Sequence, residues 1–421
     1  MPADRQVDLL ESLGALQSGN SMEAQVVIVG AGPAGALLAY LLSSRGIETI
    51  LIERQTDFSR EFRGEVLMPS GIRALQEAGF SLERISTSAH DTFEGYLNGR
   101  CFIKIEGMTL GPVRPTAVSQ PEMLESLVAL SEETGAFQLR RGNTVRGLVR
   151  ENDGTISLRL ATAGSDHEET IRVPYLIGAD GRNSIVRKRL GPTVRKRSTP
   201  LDVVWFKLPY PESWSDSRFR FEIGNGHLLI AARAPDGLLQ VAWVILKGTY
   251  GELRARGIDE WIDAMSGHAD PELAAHLIQN RARFSRPFLL DTVTDRVLGW
   301  STPNTLLIGD AAHTMSPVGA QGLNLALRDA IVTANVLVPA FRVNGNLDEA
   351  ATHVEALRGP EIDRIQWLAA FPPRLVMGRT RFHDAARRGV ALLANSRFAR
   401  TRAVRAGSIV FDGVTTVQLT V

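Results

Sequence analysis

The stretch from Gln25 to Arg54, QVVIVGAGPAGALLAYLLSSRGIETILIER, constrains the fold more than any other part of the chain. Val26 to Val29 is a continuous β-branched run, the pattern of a parallel strand buried on both faces. It runs into G-x-G-x-x-G at Gly30, Gly32 and Gly35, and then into an Ala/Leu-rich helix predicted from about Ala34 to Ser44. The first glycine permits a tight turn, the second lets the main chain approach a pyrophosphate, and the third lets the helix pack closely on the strand. The helix N-terminus then offers unpaired N–H groups and a positive dipole end to phosphates. After Gly46 a second apolar run, Thr49 to Ile52, ends at Glu53, where a carboxylate at a strand tip can accept hydrogen bonds from ribose hydroxyls. Strand, glycine turn, helix, strand and acid together predict a dinucleotide site.

Ala24 to Leu42 is apolar enough to be mistaken for a membrane span, but its glycines and Pro33 break the period. With 421 residues, 44% of them hydrophobic, two domains in one chain are expected. The formal net charge is +1, from 47 basic and 46 acidic residues, so no global field steers the protein to nucleic acid. The lone Cys101 excludes an intramolecular disulfide and any multi-cysteine metal site. Residues 1–21 contain acids and lack the basic and long apolar regions of a signal peptide, so a cytoplasmic protein is expected, with this segment as an extension outside the first domain.

Beyond the first unit, Arg63 sits in a loop between Phe62 and Gly64, either as a solvated surface arginine or as a cofactor or substrate contact. A helix is expected from Ser70 to Ala78, hairpin strands inserted between His90 and Val118, and a further helix with Pro121 in its first turn. Residues 137–173 alternate and predict an antiparallel sheet with an Asn-Asp-Gly turn. The run Tyr175–Ile177 ends in Gly178-Ala179-Asp180-Gly181, followed by Arg182, Arg187, Lys188 and Arg189, which read as a solvated basic face or as a second phosphate-facing loop. Leu201 to Leu246 predicts a second sheet, with enough Trp and Phe to floor a pocket for a flat organic molecule, and with His227 as a surface or pocket-wall residue. Helices follow from Ile258 to Asn280.

The second informative stretch is NTLLIGDAAHTMSPVGAQGLNLALRDA, from Asn304 to Ala330. A buried strand ends at Gly309-Asp310, a loop carries His313, Pro317, Gly319 and Gly322, and a helix starts near Asn324. Ligands bind outside the carboxyl ends of parallel strands, so Asp310 is placed for a polar contact to the same dinucleotide. The tail from Phe341 reads as helical and locally basic, most simply as a solvated or interdomain face.

GAGPAG with Glu53, then GADGRNS, then LLIGDAAHTMSPVGAQGLNLALRDA resemble, in that order, the single-component class A FAD-dependent aromatic-hydroxylase-type flavoprotein monooxygenases with the p-hydroxybenzoate hydroxylase-like fold. The resemblance runs from about Met22 to Arg342. It implies that Gly30, Gly32 and Gly35 hold the FAD pyrophosphate and Glu53 the adenosine ribose, with Ala34 and Arg54 as further cofactor-binding residues, and that Arg63 lies near the flavin. Gln120 would touch FAD, and Asp180 with Gly181 would serve both FAD and a passing nicotinamide. Asp310 would bind the ribityl or pyrophosphate region, and Pro317 with Gly319, Ala320, Gly322, Leu323 and Asn324 would approach the isoalloxazine. Arg63, His313 and Pro317 are the catalytic candidates; His313 either tunes ionisation at the site or is a structural loop histidine. Ala320 stands where many members have glycine, and no W-x-W-x-I-P segment of the halogenases is present.

The expected fold class is therefore α/β, with a Rossmann-like FAD-binding domain (22–200 and 285–345), an inserted antiparallel α+β substrate domain (201–284) and a C-terminal helical segment (346–421). The expected activity is NAD(P)H- and O₂-dependent hydroxylation or epoxidation of an aromatic, quinone-like or polyketide-like small molecule. No metal, no nucleic acid and no integral membrane association are expected, and the protein would be a monomer or homodimer. The alternatives are a flavin oxidase or reductase without oxygen insertion, and a non-catalytic flavin-binding redox sensor.

Overall fold

The computed structural model describes residues 24–59, 65–165, 168–197, 199–224, 226–317, 319–370, 372–394, 409 and 411–421. Val26–Val29 and Thr49–Glu53 are strands buried at every residue, and Pro33–Ser43 is the helix between them. The first strand pairs in parallel with Thr49–Glu53 on one side and Leu176–Gly178 on the other, with Val27 opposite both Ile50 and Leu176. Chain connections leave this strand in opposite directions, so a crevice opens at its carboxyl end, beside Gly30. The whole sheet runs Ser301–Thr302, Thr305–Leu307, Leu176–Gly178, Val26–Val29, Thr49–Glu53, Phe137–Arg141.

The last of these strands corrects the sequence reading, which placed 137–141 in an antiparallel sheet. Phe137–Arg141 lies parallel to Thr49–Glu53, with Phe137 opposite Thr49. Helix Gln120–Glu132 carries the chain back over the sheet before it, so the next strand enters in the same sense as its neighbours. The antiparallel sheet is confined to Asn143–Arg150, Ile156–Thr162 and Glu168–Val173, and the Asn152-Asp153-Gly154 turn joins its first two strands.

A seven-stranded sheet forms the second half of the molecule, in the order Phe288–Leu290, Leu201–Leu208, Leu239–Leu246, His227–Arg233, Arg218–Gly224, Thr92–Leu97, Arg100–Glu106. The hairpin at 92–106, which the sequence reading inserted into the first domain, thus joins the seven-stranded sheet, and Phe288–Leu290 joins its opposite edge. A lone hairpin cannot bury its apolar face, whereas here Phe93 pairs in parallel register with Phe219. Arg220 fastens that join: buried at 2% exposure, it donates to Glu94 (2.8 Å) in the hairpin and to Asp270 (2.6 Å) in the helical layer.

Strand alternation divides this sheet's two faces. Val204, Phe206 and Leu208 pack against Trp261, Ile262 and Leu273 of the helical layer, while Val203 and Trp205 face the opposite way, into a cavity. The helices expected within 258–280 are Ile258–Ser266 and Pro271–Gln279, and Asp270 caps the second through the Glu272 N–H (3.1 Å).

Two described parts of the expected C-terminal helical segment (346–421) pack into the main core. Leu347–Ala369 packs along Gln321–Arg342, with Val354, Ile362 and Ile365 in the main core. Val417, Leu419 and Val421 return to the same core as extended chain.

Candidate functional site

A cavity of about 830 Å³ lies between the parallel sheet and the seven-stranded sheet, near the upper end of the range for small-molecule sites. Gly30, Gly32, Ala34, Glu53, Arg54, Gln120, Asp180, Gly181, Asp310, Pro317, Gly319, Ala320, Gly322 and Leu323 all line it. These residues come from four distant parts of the chain; all but Gln120, which opens helix Gln120–Glu132, are gathered at the carboxyl ends of parallel strands.

At the nucleotide end, local sterics explain the glycines. Gly30 has φ +101°, and a Cβ there would lie 2.5 Å from the Ala179 carbonyl oxygen. A Cβ on Gly35 would meet the Gly30 oxygen at 2.0 Å, so this glycine serves helix-to-turn packing and does not line the cavity. Gly32 has nothing within 4 Å, which leaves open space over the N-terminus of helix Pro33–Ser43. No acidic residue occupies that helix's first turn to compete for its dipole. The Glu53 carboxylate is held against the turn by the Ala31 N–H (2.9 Å) and the Gln55 N–H (3.0 Å). Open space above N–H groups, with a carboxylate beside it, fits the pyrophosphate and ribose of FAD.

Asp180 reaches the lining, but its oxygens also cap helix Ile185–Leu190, accepting from Ser184 Oγ, from the Ile185 N–H (2.6 Å) and from the Val186 N–H (3.2 Å). Burial pushes its pKa upward, and those hydrogen bonds oppose the rise. Arg187, from the basic run, ties this loop to the next one by donating to the carbonyls of Ala311 (2.8 Å), Asp310 (3.3 Å) and Arg182. It is therefore a brace and not part of a solvated basic face.

Behind the Asp310 turn lies a buried ionic chain. Asp329 accepts from the Gly309 N–H (3.1 Å), from Arg358 Nε (2.7 Å) and shares a hydrogen bond with His313 Nε2 (2.6 Å). Burial alone would raise the Asp329 carboxyl, but His313 and Arg358 beside it bring it down to about 2. Arg358 also pairs with Glu361, which pairs in turn with Arg328 (2.5 Å). His313, 2% exposed and under the Trp300 ring, is thus turned away from the cavity lining. It acts through Asp329 on the backbone of the turn and has no contact with the cavity.

Asn324 is likewise behind the lining. Its Oδ1 accepts from the Met68 N–H (2.8 Å), and its Nδ2 donates to the carbonyls of Ala320 (2.6 Å) and Val66 (3.2 Å), fastening the start of helix Gln321–Arg342 to strand Val66–Leu67. Ala320 itself adopts φ +52°, ψ 38°, the left-handed region. That conformation is the physical reason a glycine suits the position, and an alanine holds it at a cost of about 1 kcal/mol. Arg63 lies outside the described residues.

The sheet end of the cavity is aromatic. Phe93 stacks on Phe219 (centroids 5.6 Å), Phe219 meets Phe221 edge-on (5.1 Å), and Trp205 lies on the same face. Sequence reasoning missed Phe93, Phe411 and Glu65, all of which line the cavity. Glu65 is 8% exposed, and burial pushes its carboxyl up to about 7, against the pull of Lys207 and a backbone hydrogen bond from Gln120. An acid set directly before the apolar run Val66-Leu67-Met68 was the available signal. Among the described residues no cluster of His, Cys, Asp and Glu is arranged to hold a metal ion.

A family model described as FAD binding domain matches residues 23–352. The 6-methylpretetramide 4-monooxygenase of Streptomyces rimosus is 32% identical over 88% of this chain and 88% of its own length. The 12-dehydrotetracycline 5-monooxygenase/anhydrotetracycline 6-monooxygenase of Streptomyces rimosus subsp. rimosus is 28% identical over 74% of this chain and 61% of its own length. The crystal structure of p-nitrophenol 4-monooxygenase from Pseudomonas putida DLL-E4 shares the fold, with TM-score 0.77 at 17% identity over 93% of this chain and 99% of that one.

Proposed function

The chain belongs to the FAD-binding class A flavoprotein monooxygenases of the p-hydroxybenzoate hydroxylase type, and from that premise we propose that its substrate is a polycyclic aromatic polyketide bearing a phenolic ring. It is an FAD-dependent monooxygenase of the aromatic and polyketide class. The observation that carries the finer reading is the aromatic face of Phe93, Trp205, Phe219 and Phe221, which lines the same cavity as the 319–323 loop. Stacked and apolar, it suits a flat fused-ring molecule, in keeping with the 6-methylpretetramide named for the 32% identical relative.

In this reading the N–H groups at the start of Pro33–Ser43 and the open side of Gly32 hold the pyrophosphate of FAD. Glu53 takes the ribose, Asp310 the ribityl side, and the main chain of 319–323 the ring system. Bound FAD, reduced by NAD(P)H, supplies the electrons that activate O₂ for transfer to the substrate. The chain's own residues bind, orient and keep water out. His313 and Asp329 fix Gly309 and hence the turn that carries Asp310, while Phe93 and Phe219 fix the plane of the substrate.

The test is turnover of 6-methylpretetramide by the purified protein with FAD, NADPH and isotopically labelled dioxygen. One labelled oxygen atom in the product is expected. Substrate-stimulated NADPH oxidation whose product carries no label would sink the monooxygenase reading for this substrate class.

A further inference from the structure

Phe411 lines the cavity although it belongs to the segment after the last long helix, far in sequence from every other residue of the aromatic face. Its ring meets Phe93 edge-on, with centroids 6.1 Å apart and planes at 80°. It also packs against Val66, Met68 and Ala117, the small cluster that Ala320 packs against as well. Ala320 is part of the loop assigned to the flavin ring, and Phe93 part of the face assigned to the substrate. Phe411 therefore occupies the junction where the two ligands have to meet.

The main chain after Phe411 is docked into the buried ionic chain. Gly413, at φ +82°, sits so close that an added Cβ would lie 1.9 Å from Arg328 Nη1 and 2.8 Å from Glu361 Oε1. The Val414 N–H donates to Glu361 Oε1 (2.7 Å), and Arg328 Nη2 donates to the Thr415 carbonyl and to Thr415 Oγ1 (3.1 Å). Further on, Asn335 donates to the Gln418 carbonyl (2.7 Å) and accepts from the Thr420 N–H (2.8 Å), while Arg45 donates to the Val421 carbonyl (2.6 Å). A charged pair 2% exposed or less that spends its bonds on a passing main chain fixes that chain's position closely. Buried charges need partners, so the pair and the segment hold each other in place.

We propose that Phe411 is a substrate-contacting, specificity-determining residue of this monooxygenase, and that Arg328 and Glu361 are the positioning residues that hold it in the cavity wall. The proposal rests on the polycyclic-substrate reading above and deepens it. The ring closes the flavin-side edge of the aromatic face, so that a fused-ring substrate is gripped at two edges, while a single ring needs only one.

The test uses the oxidised, FAD-loaded full-length enzyme, titrated with p-hydroxybenzoate and with anhydrotetracycline while the flavin absorbance is followed. This readout needs no turnover. Phe411→Ala should keep wild-type flavin content and bind anhydrotetracycline about tenfold more weakly, with p-hydroxybenzoate unaffected, and Phe411→Tyr should restore most of the loss. Gly413→Ala, which leaves the ring but displaces its support, should reproduce the selective loss. Phe411→Ala with wild-type affinity for anhydrotetracycline, or a wild-type enzyme that does not bind it, overturns the proposal. Binding that follows the expected pattern without oxygen incorporation would instead remove the proposed function and leave the role of Phe411 in ligand recognition standing.

Discussion

In the proposed reading, the cofactor end of the cavity is framed by Gly30, Gly32, Gly319 and Gly322, which leave main chain open to a ligand, with the carboxylates of Glu53, Asp180 and Asp310 beside them. The sheet end is framed by rings: Phe93, Trp205, Phe219, Phe221 and Phe411. A main-chain site depends on residues that keep side chains out of the way, and it suits a ligand that never changes. A site made of rings can be re-cut one side chain at a time without disturbing the backbone that carries it. The cofactor half should therefore fail as a unit when perturbed, and the substrate half should respond by degrees.

The strongest challenge to that division is Gly35→Val. The new Cβ would stand 2.0 Å from a carbonyl oxygen, which is main chain and cannot swing aside, so helix and strand must part. A loss of about 3 kcal/mol or more is expected, together with flavin-free protein, read from flavin absorbance and urea unfolding. A stable, yellow Gly35→Val protein would mean that the turn tolerates what its geometry forbids. Phe219→Ala addresses the other half. It should raise KM for a tetracyclic substrate about tenfold while flavin content stays at the wild-type level. Loss of flavin in that variant would show that the two halves are one cooperative structure.

Glu65 stands at the seam and offers the smallest effect. Its folded pKa, about 7, lies above the ordinary value of 4.5, with burial the chief cause. The native state thus holds the proton more tightly than the unfolded chain, and its stabilising contribution is full below 4.5 and lost as the pH rises through about 7. Glu65→Gln should flatten that part of the stability profile, seen as a wild-type Tm that falls by a few degrees more than the variant's between roughly pH 5 and pH 8. Identical profiles would place the carboxyl in contact with water.

The same contrast explains what could be read from the chain alone. Gly30, Gly32, Gly35 and Glu53 fall in one contiguous stretch whose task is set by backbone sterics, and Asp180 and Asp310 each end a recognisable strand. Phe93 was hidden because its meaning depends on parallel pairing with Phe219, and no local pattern announces such a partner. The direction of Phe137–Arg141 was hidden for the same reason. His313 looked like a loop residue near chemistry, yet its partner Asp329 lies one strand-to-helix passage later, on a face that only the fold turns inward. Phe411 lies just beyond the basic run that ends at Arg405, in a stretch with no motif of its own.

The strand order also has a cost in assembly. The first β-α-β unit is complete in sequence by Glu53, but its central strand lacks its second neighbour until Leu176–Gly178 is made, and that neighbour waits for Thr305–Leu307. The hairpin at 92–106 likewise waits for Arg218–Gly224 before its free edge is covered. A chain emerging from the ribosome therefore carries several unpaired strand edges for most of its synthesis, which favours slow folding and a need for chaperone protection. The arrangement that brings remote segments together around one cavity is the same one that keeps the newborn chain from settling early.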